Sequence, residues 1–211
     1  MKKKLLLIDT CGETAGVALC AGHEALATED LVQGTASAGI ISAVQCLLTQ
    51  QGWRLAELDA VGVVIGPGSF TGMRAGLATA RGLCEATGLP LAAVSRLEVL
   101  ANAASLHDGL VALDAGRGEL YVRDTTTGRE WLCSSSDLEV AASGRPVIVA
   151  EARIAERLEA LQPVLYPLHV SDALHVVLLR LRDGGSDVSL TDANYVREES
   201  DIYRKPAGAG A

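Results

Sequence analysis

The sequence predicts an α/β protein made of two similar halves, each a mixed sheet with flanking helices. Three observations predict it. Short apolar runs alternate along the chain with segments of helical period. An apolar run that ends in aspartate, Leu5–Asp9, returns in the second half as Leu110–Asp114. A chain of 211 residues with 49% hydrophobic residues can bury a sizeable core, which excludes a disordered polypeptide.

The elements follow in order. Leu5–Ile8 is an apolar run of the kind buried on both faces of a sheet. Gly12 and Gly16 bracket a turn, Val17–Ala21 reads as a second strand, Gly22-His23 as a tight turn and Glu24–Thr28 as a third strand. Residues 36–51 then change period. Ile40, Ile41, Val44, Leu47 and Leu48 fall on one helical face, and Gly52 ends the helix. Val61–Ile65 is a buried strand that runs into Gly66-Pro67-Gly68-Ser69-Phe70-Thr71-Gly72 and a small-residue helix to about Ala86. Thr71 is read as its N-cap. Leu91–Val94 is a strand, and Ser95-Arg96-Leu97-Glu98 has the pattern of a capping box opening a further helix.

The second half repeats this plan. Leu110–Asp114 is followed by a turn at Gly116 and Gly118, a strand at Glu119–Thr125, a turn at Thr127-Gly128 and a strand near Trp131–Cys133. Pro146–Ala150 corresponds to Val61–Ile65. Residues 151–162 read as a helix ended by Pro163, and residues 172–182 as a buried helix stopped by Gly184-Gly185.

Composition narrows the function. Lys and Arg number 18 against 26 Asp and Glu, a formal charge of −8 with a pI near 5.0, and aromatic residues are 3%. Such a chain is poorly suited to hold nucleic acid alone, by phosphate contact or by base stacking. The five cysteines, Cys11, Cys20, Cys46, Cys84 and Cys133, form no C-x-x-C pair and read mostly as small buried hydrophobes in a reducing compartment. The apolar run after Lys2-Lys3-Lys4 stops at Asp9, too short for a secretory leader, and no run is long enough to span a membrane. The expectation is a soluble, cytoplasmic protein.

Several catalytic signatures are missing from the sequence. There is no P-loop and no G-x-S-x-G elbow, and Gly66–Gly72 departs from G-x-G-x-x-G because residue 71 is threonine. His23, His107, His169 and His175 include no pair four residues apart that would place two imidazoles on one helix face. Asp9, Thr10 and Asp114 stand where strands enter glycine turns. There they can hold a metal-bound phosphate, or cap the turn through the chain's own backbone. Arg74 lies in the first turn of its helix, where a cation opposes the dipole, so it is expected to pair with an anion, a partner carboxylate or a carbonyl. The run Ala75, Gly76, Ala78, Ala80, Gly82 permits close helix approach, either to the chain's own sheet or to a partner.

The stretches Leu5–Thr10 with Gly16–Leu19, Gly66–Gly76 (G-P-G-S-F-T-G-M-R-A-G) and Val111–Tyr121 resemble the TsaB family, formerly YeaZ. Asn194-Tyr195-Val196-Arg197 before Asp201 is similar to that family's C-terminal element. The resemblance runs from residue 5 to about 206. It implies an actin-like, Hsp70-like ATPase fold with lobes at residues 1–108 and 109–205, the last segment packing back on the first lobe, and a flexible tail at 206–211.

The resemblance also implies a role. The chain would be the non-catalytic subunit that dimerises with the catalytic paralogue TsaD, for threonylcarbamoyl transfer to N6 of adenosine 37 in tRNAs reading ANN codons. A TsaE-like ATPase would join the pair, tRNA would be met indirectly, and the isolated chain would form a homodimer. TsaD carries H-x-x-x-H, which this chain lacks, so no metal and no cofactor are expected. Asp9, Thr10 and Asp114 become a vestigial nucleotide site. The expected partner interface is Ile40, Ile41, Val44, Leu47, Leu48, Met73, Arg74, Leu77, Ala78, Ala80, Arg81 and Cys84. Many members have His-Ser at the start of the first helix where this chain has Ala36-Ser37, so that histidine is not expected to be essential here. The alternatives are a stand-alone actin-fold small-molecule kinase or peptidase, and a homodimeric interaction protein outside tRNA modification.

Overall fold

A computed structural model describes residues 2–31 and 36–196, without the side chains of residues 36–38. Arg197, Asp201, the tail at 206–211 and the side chains of Ala36 and Ser37 lie outside the described residues.

The first half is β1 (Lys4–Asp9), β2 (Ala15–Ala21), β3 (Glu24–Leu31), α1 (Ala36–Gln51), β4 (Ala60–Val64), α2 (Phe70–Thr87), β5 (Leu91–Val94) and α3 (Arg96–Ala103). The second is β6 (Leu110–Gly116), β7 (Glu119–Asp124), β8 (Glu130–Ser134), α4 (Ser135–Ala142), β9 (Val147–Val149), α5 (Ala152–Arg157), β10 (Val164–Leu165) and α6 (Leu174–Arg182). The sheets have strand orders β3-β2-β1-β4-β5 and β10-β9-β6-β7-β8. These are one topology used twice. In each, the first strand pairs antiparallel with the second and parallel with the fourth. The expected fold of two similar lobes, each a mixed sheet with flanking helices, is therefore present, written into the chain as a repeat.

The apolar run of β1 is explained by its central place. Leu5, Leu6, Leu7 and Ile8 are fully buried because both faces of the first sheet are covered. α1 and α2 pack on one face. α6 and the 3-10 turn Val170–Ala173 pack on the other, beside α3. α3 also touches β6, β7 and β9, so it belongs to a layer shared by both sheets. The alternation of β6 separates two cores. Val111 and Leu113 join the main core of the first lobe, while Leu110 and Ala112 face α4 and α5 in a second cluster with Val122, Leu138 and Ile154.

Several sequence expectations change in detail. The N-cap of α2 is Ser69, whose hydroxyl accepts from the Gly72 N–H, not Thr71. Ser95 makes no capping hydrogen bond; its hydroxyl donates to Glu130 at 2.6 Å, because the second lobe offers a carboxylate there. The helix expected over 151–162 is α5 followed by a 3-10 turn at Glu159–Leu161, and Gln162 ends that turn in a left-handed conformation. α4 takes the place between the third and fourth strands that the repeated plan gives to a helix, and the two-residue β10 adds a fifth strand to the second sheet.

Candidate functional site

The site is the cleft between the two strand-to-turn corners at Asp9 and Asp114. On the first side, the Asp9 carboxylate accepts from the Cys11 N–H at 2.8 Å. The Thr10 hydroxyl donates to the Gly72 carbonyl at 2.6 Å, and the Ser69 N–H donates to the Cys11 carbonyl at 2.8 Å. The turn after β1 is thus bound directly to the loop before α2. Gly68 and Gly72 are required by this contact, since a Cβ at either would overlap the carbonyl oxygen of Cys11 or Thr10. On the second side, Asp114 accepts from the Gly116 N–H at 3.1 Å and pairs with Arg153 at 2.9 Å, and Arg153 also reaches Glu13 at 3.1 Å.

Between the two corners lies Arg96, the first residue of α3 and only 5% exposed. Its Nη1 pairs with Glu151 at 3.2 Å, and the other oxygen of Glu151 accepts from the Asp114 N–H at 3.3 Å. Its guanidinium lies against Gly12, where a Cβ would collide with it. Its Nε has no hydrogen-bond partner among the described residues. Burial pushes the Asp9 carboxyl above the usual range, against the pull of the Arg96 charge. Burial likewise pushes the Cys11 thiol far up, helped by the neighbouring Asp9, so Cys11 is an inert core thiol. The remaining cleft is about 300 Å³. Among the described residues, no group of three or more His, Cys, Asp or Glu side chains could hold a metal ion, and no helix is long and apolar enough to cross a membrane.

The expected interface residues fall into two sets. Ile40, Val44, Leu47 and Leu48 are buried under α1, and Met73, Leu77, Ala80 and Cys84 under α2. They pack on the chain's own sheet, a correction with a simple cause: the apolar stripe of each helix covers the first lobe's core. Arg81 is half-buried, and its Nη1 donates to the Thr191 carbonyl at 3.3 Å. Ile41, Arg74 and Ala78 are exposed on the outer face. Arg74 stacks 3.9 Å from the ring centroid of Phe70, and its Nε donates to the Tyr195 hydroxyl at 2.8 Å. Phe70 is 52% exposed and Tyr195 38%.

Residues 32–141, just over half of the chain, match the family model described as "TsaD: tRNA N6-adenosine threonylcarbamoyltransferase". The chain belongs to that family. Within it, the chain is similar to the Escherichia coli "tRNA threonylcarbamoyladenosine biosynthesis protein TsaB", 37% identical over 122 residues, covering 56% of this chain and 53% of the relative. The Bacillus subtilis protein of the same name is 35% identical over 120 residues, with 56% and 52% covered. The chain spans about half the length of the curated relatives it matches. A crystal structure from Pseudomonas aeruginosa, described as similar to peptidase YeaZ, superimposes with a TM-score of 0.77 at 24% identity, covering 92% of this chain and all of that one. That likeness is one of fold.

Some members of the site were not found from sequence. Arg96 carries a signal, a cation at the first position of a helix where the dipole disfavours it, but the same four residues also fit a capping box. Glu151 gave none beyond its place after β9, the counterpart of Gly66 after β4. Glu130 gave none, and Asn194 is marked only by its place in the C-terminal element that resembles the family's. The Asn194 Nδ2 donates to Glu130 at 2.8 Å, its backbone N–H donates to the Ile65 carbonyl, and Arg123 pairs with Glu130 at 2.9 Å.

Proposed function

We propose that this chain is a non-catalytic subunit in the synthesis of threonylcarbamoyladenosine in tRNA. It pairs with a catalytic TsaD-like protein that transfers threonylcarbamoyl to N6 of adenosine 37 in tRNAs reading ANN codons. The observation that carries this reading is the state of the cleft. Asp9, Thr10 and Asp114 spend their hydrogen-bonding groups on the chain's own turns and on Arg153, and the buried Arg96–Glu151 pair lies between the corners. Neither a nucleotide nor a metal is needed to satisfy these groups. The relatives named TsaB support the same pathway.

The partner face in this reading is the outer side of α1 and α2, with Ile41, Ala78 and the Phe70–Arg74–Tyr195 cluster. In an acidic chain, an apolar patch carrying an arginine that has no acidic partner among the described residues suits a protein surface better than open water. A TsaE-like ATPase joins the resulting pair, and tRNA is met through the complex. A second copy of the chain can use the same face, so homodimer and heterodimer compete.

The test is co-elution of the purified chain with its organism's catalytic paralogue, followed by tRNA modification with and without the chain. Ala78→Glu is expected to remain folded, to lose co-elution and to stop supporting modification. Modification by the chain alone, or undiminished modification when it is omitted, overturns the reading.

A further inference from the structure

The two consecutive residues that open α3, Ser95 and Arg96, reach into the second lobe on different sides. The Ser95 hydroxyl donates to Glu130 on β8, and Glu130 is also held by Arg123 and by Asn194, whose backbone N–H donates to the carbonyl of Ile65, the residue after β4 in the first lobe. Arg96 pairs with Glu151 after β9, and Glu151 in turn receives the Asp114 N–H at the end of β6. The backbone N–H of Arg96 donates to the Gly66 carbonyl, which ties the same point to the loop before α2.

This arrangement is poor for helix stability. A cation at the first helical position opposes the dipole. A buried ion pair recovers little net stability after desolvation, and the Arg96 Nε is left without a partner among the described residues. What such a pair does supply is geometry, because it is satisfied at only one spacing of the groups it joins.

We propose that Ser95 and Arg96 form a two-armed clasp that fixes the angle between the lobes. Two-lobed folds with a central cleft close by hinge motion when a ligand bridges the lobes. Here the guanidinium of Arg96 takes the bridging place between the Gly12 turn and Glu151, so one degree of closure is set by the chain itself. The loop before α2 and the segment around Tyr195 then keep a constant relation to the second lobe.

The experiment measures an interlobe distance by pulsed electron resonance in the full chain. Cys46, exposed on α1, carries one spin label, and Glu139→Cys, exposed on α4, carries the other, in a Cys133→Ser background. The parent is expected to give one narrow distance distribution. Arg96→Ala, Glu151→Gln and Ser95→Ala are each expected to broaden it and shift it to longer distance. Free guanidinium at a non-denaturing concentration is expected to restore the narrow distribution in Arg96→Ala and to leave Glu151→Gln broad. If Arg96→Ala does not fold, the near-isosteric Glu151→Gln and Ser95→Ala decide. A distribution unchanged from the parent in the folded variants of either arm overturns the proposal, as does a broadened Arg96→Ala that does not respond to guanidinium.

Discussion

Single residues in this molecule are best understood from what surrounds their charge. Asp9 is buried, and burial pushes its carboxyl above the ordinary aspartate value of 3.8. The folded chain therefore prefers Asp9 protonated more than the unfolded chain does. The resulting penalty is absent at acid pH, sets in as pH rises past the ordinary carboxylate range, and stops growing only above the raised value. Asp9→Asn keeps the acceptor for the Cys11 N–H and removes the charge. It is expected to be more stable than the parent at pH 7 and to match it below pH 3.8, as read by urea unfolding at both pH values. Two neighbouring alanines separate in the same way. Ala80 has no exposed surface, and Ala80→Glu is expected to cost about 3 kcal/mol or more through an unpaired buried charge. Ala78 is exposed, and Ala78→Glu is expected to change stability by no more than about 0.5 kcal/mol. Thermal melts of both variants check this. The sequence grouped the two because both are small; their depth depends on which side of α2 meets β4.

At the scale of elements, the informative contact is between the turn after β1 and the loop before α2. The sequence marks both segments, the first as a strand entering a glycine turn and the second as a glycine-rich run leading into a small-residue helix. In the structure they hold each other, and the glycines serve that approach. Gly72→Ala is expected to cost about 2 kcal/mol or more, since the Thr10 carbonyl is backbone and cannot step aside. The helix start is decided by the same loop. Ser69→Ala is expected to cost about 1 kcal/mol and Thr71→Ala less than about 0.5 kcal/mol, both measured by chemical denaturation. Threonine and serine can both cap a helix, serine somewhat better. The choice fell to Ser69 because its N–H is already fixed by the Cys11 carbonyl.

For the whole molecule, the shared α3 layer joins the inner face of the second sheet to the core of the first. The lobes are therefore expected to unfold together. Trp53 and Trp131 sit one in each half, so Trp53→Phe and Trp131→Phe give single-tryptophan reporters of the two lobes. Coincident transitions in both, and in far-ultraviolet circular dichroism, are the expected result. The satisfied corners at Asp9 and Asp114 also predict no saturable binding of magnesium ATP by calorimetry. Tight magnesium-dependent binding lost in Asp9→Ala would instead favour a kinase-like activity.

By itself the sequence determined the two-fold plan, the identity of most strands and helices, and the two corners that face the cleft. These are local matters: period, apolar run length and turn residues act over a few positions. The tertiary structure decided which helix faces are buried, that the arginine opening α3 enters the cleft, and that Glu130, Glu151 and Asn194 meet the first helical turn of another lobe. Those outcomes depend on how two sheets stack across a shared helical layer. Residues 35 to 99 positions apart are brought within hydrogen-bond range only by that stacking, and no pattern along the chain encodes their separation in space.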